Sequence, residues 1–213
     1  TKDLEWLISS LGLPPIHLIG HSYGGFIAAY LAVKSPGLIK KLVLVEPGIT
    51  TLLVKDQKSP AQLLSLFLRS PSTALSAGKF IREYVNPMQE AYHRGDLDLA
   101  IRLFADGFIG KKGALDQLPE EMRTMLKENS KTIGETETKL PIFTKKDAGR
   151  ISAETLLMKG ANSPRVLQAI VGTLSKSMPN SEVVTIPDSG HFPHFEKPEL
   201  FNEKVLEFLA RGE

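Results

Sequence analysis

Ser22 stands in Gly20-His21-Ser22-Tyr23-Gly24, a G-x-S-x-G arrangement that places a serine hydroxyl on a tight strand-to-helix turn. The apolar run 16–19 precedes it and the Ala-rich segment 26–33 follows, so the strand and the helix that the motif demands are both present. Side chains at the two glycines are expected to collide with the neighbouring strand and helix. The helix amino terminus behind the serine favours negative charge developing there. Without such chemistry, Ser22 reads as a plain helix N-cap.

A serine hydroxyl is a weak nucleophile until a base takes its proton. His191, in Gly190-His191-Phe192, follows the final strand-like run and fits the chain order nucleophile, acid, histidine. Its rival His194 lies nearer the last helix and lacks a glycine neighbour. His17, inside a strand, and His93, in the middle of the chain, read as structural or surface residues, and His21 as packed at the turn. An oxyanion needs two donors, and the backbone N–H of Tyr23, the residue after the nucleophile, is expected to be one.

The remaining composition narrows the chemistry. No phosphate-binding glycine loop or nicotinamide fingerprint occurs and the five histidines lack metal spacing, so neither cofactor nor metal is expected. The chain has no cysteine, which removes disulfides and thiolate chemistry and fits a reducing compartment; the expectation is a cytoplasmic protein. The net charge of +2 is dispersed, with only short basic doublets such as Lys40-Lys41 and Lys145-Lys146, so the expected partner is a small-molecule substrate and not nucleic acid. The apolar runs are too short for a membrane span.

These residues must be held by a scaffold. A first helix with Leu4, Leu7, Ile8 and Leu11 on one face is stopped by Gly12 and Pro14-Pro15. The strand at 16–19, the helix that Ser35-Pro36-Gly37 ends, and a strand at 42–45 form a βαβ unit, which favours a parallel sheet. From about 51 to 147 strand signals give way to four or five short helices, opened by Ser59-Pro60, with helices at 97–108 and 118–128 around a Gly110–Gly113 loop. Strands return at 154–158 and 183–186, with helices at 163–177 and 198–209. The expected architecture is α/β: a partial, mostly parallel sheet of about four strands with helices on both faces. Residues 1–50 and 148–213 form its core, and 51–147 form a helical cap inserted over the carboxyl edge of the sheet. The apolar cap residues Leu63, Phe67, Phe104, Phe108 and Met125 could line a pocket, but read first as the cap's own core.

Three blocks, GHSYGG at 20–25, LVLVEP at 42–47 and PDSGHFPHFEKPELF at 187–201, resemble the α/β-hydrolase superfamily with a serine nucleophile. The resemblance covers nearly the whole chain and is weakest in the cap. It implies a serine hydrolase that acts on a small ester-like carbonyl through an acyl-enzyme. Most members carry the triad acid as an Asp after the strand that is here 154–158, but this sequence has Ser163 at that place. Some branches, haloalkane dehalogenases among them, instead carry a glutamate after the preceding strand. Glu46 ends that strand, 24 residues beyond Ser22, and is therefore the expected acid that orients His191. Asp188 is a weaker substitute, in the turn Pro187-Asp188-Ser189-Gly190.

In the family the second oxyanion donor comes from a loop after an early strand, and no such segment precedes residue 16. With Thr1 in place of Met, the sequence reads as the carboxyl-terminal part of the fold with upstream sequence missing. Two alternatives stay open: a non-catalytic ligand-binding protein on the same fold, and an inactive truncated fragment lacking the oxyanion loop.

Overall fold

The structure, a computed structural model, describes residues 1–13, 15–56, 59–131 and 141–212. Pro14, half of the expected helix stop, and 132–140 of the expected cap lie outside the described residues.

The chain opens with α1 (Lys2–Ser10), β1 (Ile16–His21), α2 (Ser22–Lys34) and β2 (Ile39–Val45). Of the apolar face expected on α1, Ile8 is buried, whereas Leu7 and Leu11 are exposed. A helical block follows: α3 (Pro60–Arg69), α4 (Pro71–Phe80), α5 (Asn86–His93), α6 (Leu97–Ile109), α7 (Ala114–Gln117) and α8 (Glu120–Glu128). The short α9 (Lys145–Ala148) leads to β3 (Glu154–Gly160), α10 (Arg165–Ser177), β4 (Ser181–Ile186), α11 (Pro193–Glu196) and α12 (Pro198–Leu209). The middle block thus holds more helices than the four or five expected. One reason is a π-helical turn, Ile81–Val85, that joins α4 to α5 just before Pro87, whose missing N–H interrupts the regular ladder.

The four strands form one parallel sheet in the order β1-β2-β3-β4. Alternation along β2 divides the core in two, because successive side chains in a strand face opposite ways. Leu42 and Leu44 join Leu157, the Ala-rich face of α2 and the Ile170, Val171 and Leu174 stripe of α10. Val43 and Val45 join Leu156 and Met158 under Phe201, Val205 and Phe208 of α12. Helices therefore cover both faces. Lys41 is almost fully buried in β2, and its Nζ donates to the carbonyls of Phe208 at 2.9 Å and Leu209 at 3.1 Å. It caps the end of α12, where unpaired carbonyls and the negative end of the helix dipole meet a cation.

The helical block has its own small core of Met88, Ala91, Ala100, Ile101, Ala105, Ala114 and Leu115, with Phe104 packed against it. Leu63, Phe67 and Met125 do not belong to it as expected; each is exposed. Phe108, at the end of α6, leans instead onto the core of the sheet domain.

Candidate active site

β1 ends at His21 and α2 begins at once with Ser22, leaving no residue to make the turn. The turn is taken by Ser22 itself, whose φ of 52° lies in the left-handed region that a non-glycine residue adopts at a cost. Close packing enforces it. A Cβ at Gly20 would sit 2.6 Å from the Gly24 carbonyl and 2.9 Å from Ala28 Cβ, so only glycine fits there. The expectation for Gly24 is corrected: a Cβ there meets nothing within 4 Å. The second tight position is Gly25, where a Cβ would lie 2.9 Å from Pro47 Cβ. The Gly48 N–H donates to the Ser22 carbonyl at 2.9 Å, which ties the turn to the loop after β2.

Glu46 is the first residue beyond β2 and is completely buried. Its N–H donates to the Met158 carbonyl of β3 at 2.9 Å, and its φ of 43° swings the side chain out of the strand path. Three donors surround the carboxylate. Oε1 accepts from Gly160 N–H at 2.9 Å, while Oε2 accepts from Ser163 Oγ at 2.5 Å and meets His191 Nδ1 at 2.7 Å. Burial pushes the Glu46 carboxyl up to about 7, and the bonds from Ser163 and Gly160 oppose that rise. Burial also pushes the His191 imidazole down to about 3. With two donors already fixed on the carboxylate, the third contact is read as Nδ1–H donating to it, which leaves Nε2 as the free base.

That Nε2 is buried and, among the described residues, has no hydrogen-bond partner, so the structure does not bring Ser22 Oγ into bonding range of it. A buried, unpaired acceptor is costly and needs a reason. A catalytic base of this kind often gains its hydrogen bond only when substrate binds. Phe108 packs its ring 5.1 Å from the His191 ring and helps to exclude water.

The loop bearing His191 is held from several sides. Its Gly190 and Phe192 N–H groups donate to the Glu196 carboxylate at 3.0 Å and 3.2 Å, and Asn162 N–H donates to the Ser189 carbonyl at 2.8 Å. A Cβ at Gly160 would stand 2.1 Å from the Gly190 carbonyl, so β3 and this loop touch backbone to backbone. Asp188 is an exposed turn residue with φ of 50°, while Glu46 occupies the Nδ1 position of His191. His194 packs its ring 4.7 Å from His21, and burial pushes it down to about 4. Tyr23 is the second residue of α2, and its N–H is one of the early helical amides that a helix cannot pair within itself. Among the described residues no group of His, Asp and Glu could hold a metal ion, and no helix is long and apolar enough to cross a membrane.

The sequence reading missed the two residues that support the pair, Ser163 and Glu196. Ser163 was visible as the occupant of the family's usual acid position. Glu196 lay inside the block 187–201 without a distinguishing sign.

A family profile for the alpha/beta hydrolase fold matches residues 1–198. The chain belongs to this family. It is 30% identical to the sn-1-specific diacylglycerol lipase ABHD11 of Mus musculus, over 99% of this chain and 64% of that protein. The chain thus spans just under two thirds of that relative's length. It is 26% identical to a 2-hydroxy-6-oxononadienedioate/2-hydroxy-6-oxononatrienedioate hydrolase of Pseudomonas putida, over 98% of this chain and 68% of that one. Among solved structures, the alpha/beta hydrolase enzyme MGS-M2 from a deep-sea metagenome library superposes with a TM-score of 0.69 at 21% identity, covering all of this chain and 71% of that one. At that identity the likeness is one of fold.

Proposed function

We propose that this α/β-hydrolase chain is a serine hydrolase that cleaves a small ester-like carbonyl substrate through an acyl-enzyme. The observation that carries the reading is the buried 2.7 Å contact between Glu46 and His191 Nδ1, in a chain that also holds a serine on a strained strand-to-helix turn. In this reading His191 Nε2 takes the Ser22 proton as Oγ attacks the carbonyl, and Glu46 stabilises the imidazolium that forms. The Tyr23 N–H donates to the oxyanion of the tetrahedral intermediate. His191 then returns the proton to the departing alcohol, and water admitted to the same base hydrolyses the Ser22 ester. The mouse lipase relative supports an ester substrate, and the Pseudomonas putida relative supports hydrolysis more broadly.

A fluorophosphonate probe tests this without knowledge of the substrate, because it modifies only an activated serine. Mass spectrometry is expected to place one adduct on Ser22, absent in Ser22→Ala, with turnover of short p-nitrophenyl esters lost in the same variant. A folded protein that takes up no probe would overturn the catalytic reading and leave ligand binding as the use of the site.

A further inference from the structure

We infer that His21 is a positioning residue that fixes the distance and angle between Ser22 and His191. The inference rests on the serine-hydrolase reading of the site. His21 is the last residue of β1 and is joined by one peptide bond to Ser22. Its ring Nε2 lies 2.7 Å from the backbone carbonyl of His191. A carbonyl oxygen can only accept, so Nε2 carries the proton and the tautomer of His21 is assigned by the contact. One side chain thus spans the gap between the residue beside the nucleophile and the residue that carries the base. No helix or strand orders the chain from Ser189 to Phe192, so its orientation depends on such fasteners. Glu196 holds the amides on either side of His191, and His21 holds the carbonyl between them.

The ring of His21 is itself held firmly. It stands 4.5 Å from the His191 ring, 4.7 Å from that of His194 and 5.2 Å from that of Phe192. Three aromatic neighbours leave it little freedom to rotate, and burial keeps it uncharged, so it can donate without placing a cation beside the base. His191 Nε2 is unpaired in the structure, so the placing of this loop relative to Ser22 sets whether Oγ can reach it. Removing the His21 donor frees the loop carbonyl while sparing the Glu46 contact on the other side of the ring.

Three variants test this in the full chain: His21→Phe, which keeps an aromatic ring but no donor, His21→Gln, which returns an N–H at similar reach, and His21→Ala. The rate of fluorophosphonate labelling at Ser22 is expected to fall about 10- to 100-fold in His21→Phe and His21→Ala, the scale of loss from an ångström of misplacement. His21→Gln is expected to recover most of it. In His21→Phe the downfield proton resonance of the His191 Nδ1–H to Glu46 bond should persist, placing the defect between Ser22 and His191 and separating it from general unfolding. Wild-type labelling matched by His21→Phe would overturn the inference alone. Equal losses in His21→Phe and His21→Gln, or loss of the Nδ1 resonance, would overturn it by showing a packing role. Failure of the wild type to label would overturn the hydrolase reading and this inference together.

Discussion

Replacing Glu46 by Gln tests the site most sharply, because the hydrogen-bond geometry dictates what the amide must do. In the wild type Oε1 serves the Gly160 N–H, and Oε2 serves both Ser163 and His191. Gly160 N–H can only donate, so the glutamine oxygen must remain opposite it and the NH2 group must take the place of Oε2. Ser163 can rotate its hydroxyl to accept. His191 cannot accommodate both demands: facing an NH2 donor, its Nδ1 must accept, and the proton moves to Nε2. The nitrogen meant to receive the Ser22 proton then already carries one. A wrong tautomer of this kind costs about 10³- to 10⁴-fold in rate, or ~4–5.5 kcal/mol of transition-state stabilisation.

The same geometry supplies a rescue. Ser163 Oγ stands at 2.5 Å from the oxygen that contacts His191, so an aspartate at 163, one atom longer, brings a carboxylate to the same imidazole nitrogen. The double variant Glu46→Gln/Ser163→Asp is expected to recover most of the activity that Glu46→Gln loses. Fluorophosphonate labelling and p-nitrophenyl ester turnover measure both steps, with thermal melts as the control for folding. If Glu46→Gln labels within a few-fold of wild type, Glu46 does not orient the base and the reasoning fails.

Three further outcomes follow from the same contacts. Ser22→Gly relieves the left-handed φ of 52° while Ser22→Ala keeps it, so Ser22→Gly is expected to be ~1 kcal/mol the more stable of two inactive variants in urea denaturation. Gly24→Ala should be tolerated or slightly stabilising, since its Cβ meets open space in a helix, whereas Gly25→Ala drives a Cβ to 2.9 Å from Pro47 and should lower the melting temperature; equal effects would contradict the packing described. Stability should fall in acid. His21 and His191 are both held down to about 3, so the stability they contribute is present above their unfolded value near 6.5 and is lost as pH drops toward 3. Glu46, raised to about 7, acts the other way, with its contribution present below about 4.5 and lost as pH rises through 7. His194, pushed down to about 4, adds to the uptake of the His21 and His191 rings, so between pH 4.5 and 6.5 unfolding takes up more protons than Glu46 releases and stability falls as pH drops. Denaturation midpoints at pH 7, 5.5 and 4 measure it, and a flat profile would mean that these rings are not buried uncharged.

Much of this was legible in the residues. The strand at β2, the strand-turn-helix around Ser22 and the helix stops at Gly12 and Ser35-Pro36-Gly37 are local signals, set by apolar runs and by backbone preferences. The correct glycine was not legible. The motif names Gly24, but the collision belongs to Gly25, and only the path of the loop at Pro47 reveals it. Leu63, Phe67 and Met125 failed as core residues for a related reason: helical spacing gives a face but not whether another element covers it. Ser163 and Glu196 act through contacts across 117 residues and across a short turn respectively, and neither position carries an unusual residue type.

The placing of the acid follows from the sheet more than from any one residue. β2 and β3 are adjacent and parallel, their last paired residues are Val45 and Met158, and both chains therefore deliver what comes next to the same end of the sheet. Glu46 arrives one residue past β2, and Ser163 arrives from the turn after β3; their side chains meet at one oxygen. The loop after β4 brings His191 to that same point. Either strand end can supply the carboxylate, provided that the other supplies a donor and not a second negative charge, since two buried carboxylates at this distance could not both ionise. Ser163 is thus not a vacant acid position but the complement of an occupied one. Its hydroxyl, with the Gly160 amide, opposes the burial that raises the Glu46 carboxyl, so that it stands at about 7 and is ionised above that pH to accept from His191 Nδ1–H.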